Sequence, residues 1–112
     1  GMEGNHLMHL ANAIANMEEH YLEPLTLEEI AGKSNISVRH LNRIFRSYYQ
    51  MTPIAYMLTL RLERACSLLK HSSLTITQIS YECGFNDSNY FTRQFRKAYG
   101  VSPKVYRQNH ID

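Results

Sequence analysis

The chain repeats itself, and that narrows what it can fold into more than any other feature. Leu25-Thr26-Leu27-Glu28-Glu29-Ile30 returns as Leu74-Thr75-Ile76-Thr77-Gln78-Ile79, 49 residues on. Leu41, Arg43, Phe45, Tyr49, Pro53 and Tyr56 return as Phe91, Arg93, Phe95, Tyr99, Pro103 and Tyr106, 50 residues on. Two copies of one supersecondary unit, in register but for a single inserted residue, must each bury an equivalent face. At 112 residues the chain has the size of one domain. It is predicted as a single domain over 1–112, with a first unit over 5–52, a linking helix over 53–70 and a second unit over 74–108.

Each copy carries the same helix punctuation. Thr26-Leu27-Glu28-Glu29 and Thr75-Ile76-Thr77-Gln78 both fit the capping box, in which hydroxyl and carboxylate or amide satisfy reciprocal backbone N–H groups. Asn35 and Gly84 follow as residues that tolerate the left-handed turn ending a helix. Ser37, and Asn86 or Asp87, are good caps for a second helix. Thr52-Pro53 and Ser102-Pro103 open a third with proline at its first position. The spacing predicts an all-α chain of seven helices over 5–22, 26–34, 37–49, 53–70, 75–83, 88–99 and 103–108. No alternating strand pattern competes. The stretch 71–74 is the only joint between halves.

A short helix, a tight turn and a longer helix form the helix-turn-helix arrangement, whose second helix can enter a major groove. Such corners occur in any all-α domain, so the placement of side chains has to decide. On the first such helix Val38, Leu41, Phe45 and Tyr48 fall on one stripe, predicted to be buried. Opposite lie Arg39, Arg43 and Arg46. Fifty residues on, Asn89, Arg93 and Arg96 oppose Phe91, Phe95 and Ala98. Neither outward face carries an acid, whereas ordinary solvated faces mix both signs.

The net charge of +2 conceals a division. Residues 1–36 hold six acids and one base, for −5; residues 37–112 hold eleven bases and four acids, for +7. Such asymmetry is a better sign of a polyanion partner than the total.

Other classes find little support. There is no G-x-S-x-G, no H-E-x-x-H and no glycine loop for phosphates, so an enzyme is not expected. The six histidines and two cysteines form no compact ligand set, and no metal or cofactor is expected. Cys66 and Cys83 lie in apolar helical patterns, which fits a reduced, cytoplasmic setting. No apolar run is long enough for a membrane span, and no leader is recognisable. Gly1 ahead of Met2 has the look of a cloning remnant, in which case the chain is part of something longer. Ile54, Leu58, Leu62, Ala65 and Leu69 read as the core face of the linking helix. Tyr49, Tyr56, Tyr99 and Tyr106 recur in register and read as structural.

The stretch from Ile79 to Arg107 (ISYECGFNDSNYFTRQFRKAYGVSPKVYR) carries a Gly-Phe turn, a Phe-x-Arg-x-Phe-Arg core and a Gly-x-Ser-Pro-x-x-Tyr-Arg close. With the first copy, it resembles the bacterial AraC/XylS (arabinose-regulator) type of DNA-binding domain over about residues 5–107. The resemblance implies two helix-turn-helix units joined by a long helix in a sequence-specific transcription regulator. It further implies double-stranded DNA as partner, RNA polymerase as another, and an N-terminal sensing or dimerisation domain that this chain lacks. Base-reading positions carry over to Arg39, Asn42 and Arg43 in the first unit and to Ser88, Asn89, Tyr90 and Arg93 in the second. Arg39 and Tyr90 depart from some relatives, so the preferred bases do not carry over.

Phosphate contacts are expected from Arg46, Arg96, Lys97, Lys104 and His40, and from the capped starts at Thr26 and Thr75. An 18-residue linking helix spans roughly 27 Å, against about 34 Å for one duplex turn. Full engagement is therefore expected to bend the DNA or to leave one unit loosely bound. The alternative is a helical protein-interaction module without DNA binding. RNA is the least supported partner, because no exposed aromatic platform stands out.

Overall fold

The computed structural model describes the backbone over 2–110 and side chains over 4–110. Glu3 and Asp112 of the charge count, and the Gly1-Met2 start, lie outside the described side chains. Seven helices follow along the described residues: α1 (Met2–His20), α2 (Leu27–Lys33), α3 (Val38–Tyr49), α4 (Pro53–His71), α5 (Ile76–Glu82), α6 (Ser88–Tyr99) and α7 (Pro103–Asn109). The predicted class and helix count hold. Packing divides the chain into two compact units, Gly1–Leu60 and Arg61–Asp112. The division falls inside the continuous helix α4, not at the joint expected over 71–74.

Local chemistry sets the helix ends. The hydroxyls of Thr26, Ser37, Thr52, Thr75 and Ser102 accept from the backbone N–H three residues on, at 3.0–3.2 Å. Asp87 is the cap of α6, accepting from the N–H of Asn89 at 2.8 Å. The predicted box is complete only at Thr75, whose N–H also donates to Gln78 Oε1 at 2.8 Å. In the first unit, only the threonine half is made. Asn35 and Gly84 take positive φ as expected, +56° and +88°. α1 stops at His20, two residues early, where Glu23 N–H bonds the His20 carbonyl and His20 Nδ1 meets Glu23 Oε2 at 2.5 Å.

The first unit closes on Leu10, Ala13 and Met17 of α1, Ile30 and Ala31 of α2, Leu41, Ile44 and Phe45 of α3, and Met57 of α4. In the second unit Leu62, Ala65 and Leu69 are buried, as are Ile79, Cys83, Phe85, Phe91 and Phe95. Burial pushes the Cys83 thiol up to about 11, so it stays protonated as a core residue. Ser80, also buried, is satisfied by donating to the Thr77 carbonyl at 2.6 Å.

A matched aromatic triangle recurs in each unit. Phe45 lies 5.2 Å from Tyr49 and 5.5 Å from Tyr56, which are 6.0 Å apart. Phe95 lies 4.7 Å from Tyr99 and 5.3 Å from Tyr106, which are 5.9 Å apart. These centroid separations are those of favourable ring pairs, and they lock the last turn of α3 to α4 and of α6 to α7.

Three core expectations fail. Tyr48 is 40% exposed and Ala98, its counterpart fifty residues on, is exposed too. Both sit in the last turn of their helix, beyond the residues that cover Leu41 and Phe91. Ile54 is 48% exposed, and Pro53 and Met57 are buried in its place. Leu58 is half-buried, while Leu62, Ala65 and Leu69 are core as expected. The buried residues of α4 thus follow one register within the first unit and another within the second.

Candidate nucleic-acid interface

α3 has Leu41, Ile44 and Phe45 buried and Arg39, Arg43 and Arg46 exposed, with Asn42 half-buried beside them. At 100° per residue these four polar residues occupy one wedge of the helix. α6 repeats the plan: Phe91 and Phe95 are buried, and Asn89, Tyr90, Arg93, Arg96 and Lys97 are exposed, with Ser88 half-buried. Neither helix carries an acid in its first turn. The nearest, Asp87, has its carboxylate committed to the N–H groups of Asn89 and Tyr90, where it also opposes the positive helix end. Both helices stop in the same way, with Gln50 and Gly100 left-handed and their N–H groups bonded to the Arg46 and Arg96 carbonyls at 2.9 and 2.8 Å.

The two faces differ in detail. Tyr90, 42% exposed, lies 6.1 Å from the Phe85 ring and has the Arg93 guanidinium over it at 6.0 Å. Asn42 corresponds by the fifty-residue offset to Thr92, half-buried on α6. Thr92 belongs beside the candidate readers, and the repeat's own register would have found it.

His40 stands apart from the other expected phosphate contacts. It is half-buried, with its ring 5.2 Å from His6 and 6.0 Å from His9 of α1, and its Nε2 is buried without a hydrogen-bond partner. Burial foremost, then Arg43, His6 and His9, hold its pKa below the ordinary imidazole value. Thr26, Thr75 and Lys104 are exposed. The capped starts are unequal, since α2 carries Glu28 and Glu29 in its first turn and α5 carries no acid there. Among the described residues no group of three or more His, Cys, Asp or Glu is arranged to hold a metal ion. No described helix is long and apolar enough to cross a membrane.

An all-α chain with two capped, acid-free, arginine-bearing helices has close relatives. Residues 30–109 match the family described as a helix-turn-helix domain. The chain is 40% identical over 109 residues to the HTH-type transcriptional activator RhaS of Citrobacter koseri, covering 96% of this chain and 39% of that protein. It therefore spans about two fifths of the length of such curated relatives. Among solved structures, an AraC-type DNA-binding domain protein of Chromobacterium violaceum superimposes with a TM-score of 0.85 at 35% identity, over 93% of both chains. The DNA-binding domain of AdpA, solved in complex with a target DNA, superimposes with a TM-score of 0.84 at 31% identity, over 89% of this chain and 90% of that one. This chain belongs to the helix-turn-helix family and, within it, to the DNA-binding domains of AraC/XylS-type transcription regulators.

Proposed function

We propose that the chain binds double-stranded DNA in a sequence-specific manner, as the DNA-reading part of a bacterial transcription regulator. Its two recognition helices, α3 and α6, each take a segment of major groove. The observation that carries this reading is the pair of outward faces, fifty residues apart, alike in register, rich in arginine and free of acids. Arg39, Asn42 and Arg43 read bases in the first segment, and Ser88, Asn89, Tyr90 and Arg93 in the second. A well-made bidentate pair contributes about 1–3 kcal/mol of discrimination. Arg46, Arg96, Lys97 and Lys104 hold phosphates and set the register, with Thr75 favoured over Thr26 because no carboxylate flanks it. In a longer protein of the kind the relatives represent, a further domain would supply the signal and RNA polymerase would be the recipient.

Selection of sites from random duplexes tests this, first with the unaltered chain and then with Arg43→Ala and Arg93→Ala. Each substitution should erase preference in one separate block of bases. Log affinity should fall against log salt by roughly 0.9 per phosphate neutralised. Absence of duplex binding would instead identify a protein-interaction module.

A further inference from the structure

We propose that Arg61 on α4 is a specificity-determining positioning residue for the second recognition helix, holding Tyr90 and, through it, the Arg93 guanidinium in the attitude that reads bases. The proposal rests on the reading of α6 given above. Arg61 lines a cavity of about 330 Å³ whose other walls are the turn 84–87, Tyr90 and Arg93. Burial lowers the Arg61 pKa, with the Tyr90 phenol acting in the opposite direction. Arg93 lies over that same ring at 6.0 Å, and Phe85 supports it at 6.1 Å. Arg61, half-buried, and Arg93, exposed, thus border the same cavity as Tyr90, with Arg93 over the ring.

The first unit shows that this position looks toward the preceding helix. Tyr90 corresponds by the fifty-residue offset to His40, whose ring packs on His6 and His9 of α1. The same offset from Arg61 falls on Ala11, which has no charge, so the Arg61 arrangement belongs to the second unit alone. Tyr90 keeps 42% of its surface exposed, which lets it transmit a constraint from α4 to the outward face. A guanidinium restrained over a ring has less freedom to lose when it meets a base. Arg61 suits the task because its planar fork fixes direction where an ammonium would not.

The test uses the 112-residue chain with Arg61→Lys, Arg61→Gln and Tyr90→Ala, each measured by site selection and by the salt dependence of affinity. Arg61→Lys should lower base preference in the α6 block by roughly 5–10-fold, the lower part of what one bidentate contact supplies. The α3 block and the salt slope should not change, and in a Tyr90→Ala background, which removes the ring, the lysine should have no further effect. An unchanged preference with a salt slope reduced by about 0.9 in Arg61→Gln would make Arg61 a phosphate contact and overturn the proposal. No change in either would overturn it as well. If Arg61→Gln fails to fold, Arg61→Lys decides, with the thermal midpoint as the check on folding. Failure of the underlying reading is separate: Arg93→Ala would then leave the α6 block intact.

Discussion

The guanidinium of Arg107 on α7 donates through Nη1 to the carbonyl of Leu74 at 2.7 Å. Its Nε donates to the Leu69 carbonyl at 3.0 Å, and Nη2 donates to those of Ser72 at 3.2 Å and Leu68 at 3.5 Å. These carbonyls lie at and beyond the C-terminal end of α4, where a cation also complements the helix dipole; that of Leu68 is shared with the Ser72 N–H at 3.0 Å and hydroxyl at 2.7 Å. Arg107→Ala should lower the unfolding free energy by about 2–3 kcal/mol, since charged hydrogen bonds in part-buried positions are lost together. Arg107→Lys should recover less than half, because one ammonium cannot span that set. Urea denaturation checks both.

The left-handed caps predict an opposed pair. Gln50 has φ +56° and Gly100 φ +80°, and a Cβ at Gly100 would meet nothing within 4 Å. Steric crowding is therefore absent and only backbone strain remains, of about 1 kcal/mol. Gly100→Ala should destabilise by about that amount. Gln50→Gly should stabilise by somewhat less, because it gives up the 3.3 Å bond from Gln50 Nε2 to the Ser47 carbonyl. Thermal unfolding of both variants distinguishes this from a packing effect.

Thr75 and Thr26 occupy equivalent positions but do unequal work. Thr75→Ala should cost about 1–2 kcal/mol and Thr26→Ala about 0.5–1, because only Thr75 belongs to a complete box. Equal losses in denaturant titration would show that the Gln78 bond adds nothing.

The histidine cluster predicts a pH dependence of stability. His40 is held below its ordinary pKa by burial first, then by Arg43, His6 and His9. A base with a depressed folded pKa binds fewer protons folded than unfolded. Its contribution is whole above the unfolded value of about 6.5 and is lost as pH falls from there through the folded pKa. Stability measured from pH 7.5 down to pH 5 should therefore decline, and His40→Gln should flatten the decline.

Arg96 and Lys97 close α6 on its exposed side. Arg96→Ala and Lys97→Ala should each lessen the salt slope of DNA binding by about 0.9 without altering base preference. Fluorescence anisotropy on one selected duplex over a salt series is enough to see it.

What was legible in the sequence was what depends on near neighbours. The caps at Thr75 and Ser102 read directly from residue type, since their partners are three residues away, whereas the choice between Asn86 and Asp87 fell to Asp87 only in the structure. The repeat placed Phe45 and Phe95, and Arg43 and Arg93, on opposite sides of their helices, and they are there. Tyr48 and Ala98 misled because periodicity gives a direction but not the point at which covering residues run out. Ile54 misled because α4 contributes to two cores, and a single stripe carries the register of Leu62, Ala65 and Leu69 back into the first, where Pro53 and Met57 are buried instead. Arg107 stands out in the sequence only as the close of a motif, because its acceptors lie 33 to 39 residues away and leave no periodic trace. His40 shared its register with Tyr90 but not its surroundings, so position on the wheel did not say what its ring would meet.

The unequal outward faces have a consequence for any DNA the chain meets. Two-fold symmetric readers present one surface twice and suit sites that read the same on both strands. Here one chain presents Arg39, Asn42 and Arg43 at one place and Asn89, Tyr90 and Arg93 at another. Reversing the duplex offers each helix the other's bases. On the proposed reading, a site fitted to both helices has a front and a back, and its polarity would fix which end of this chain lies toward a neighbouring promoter.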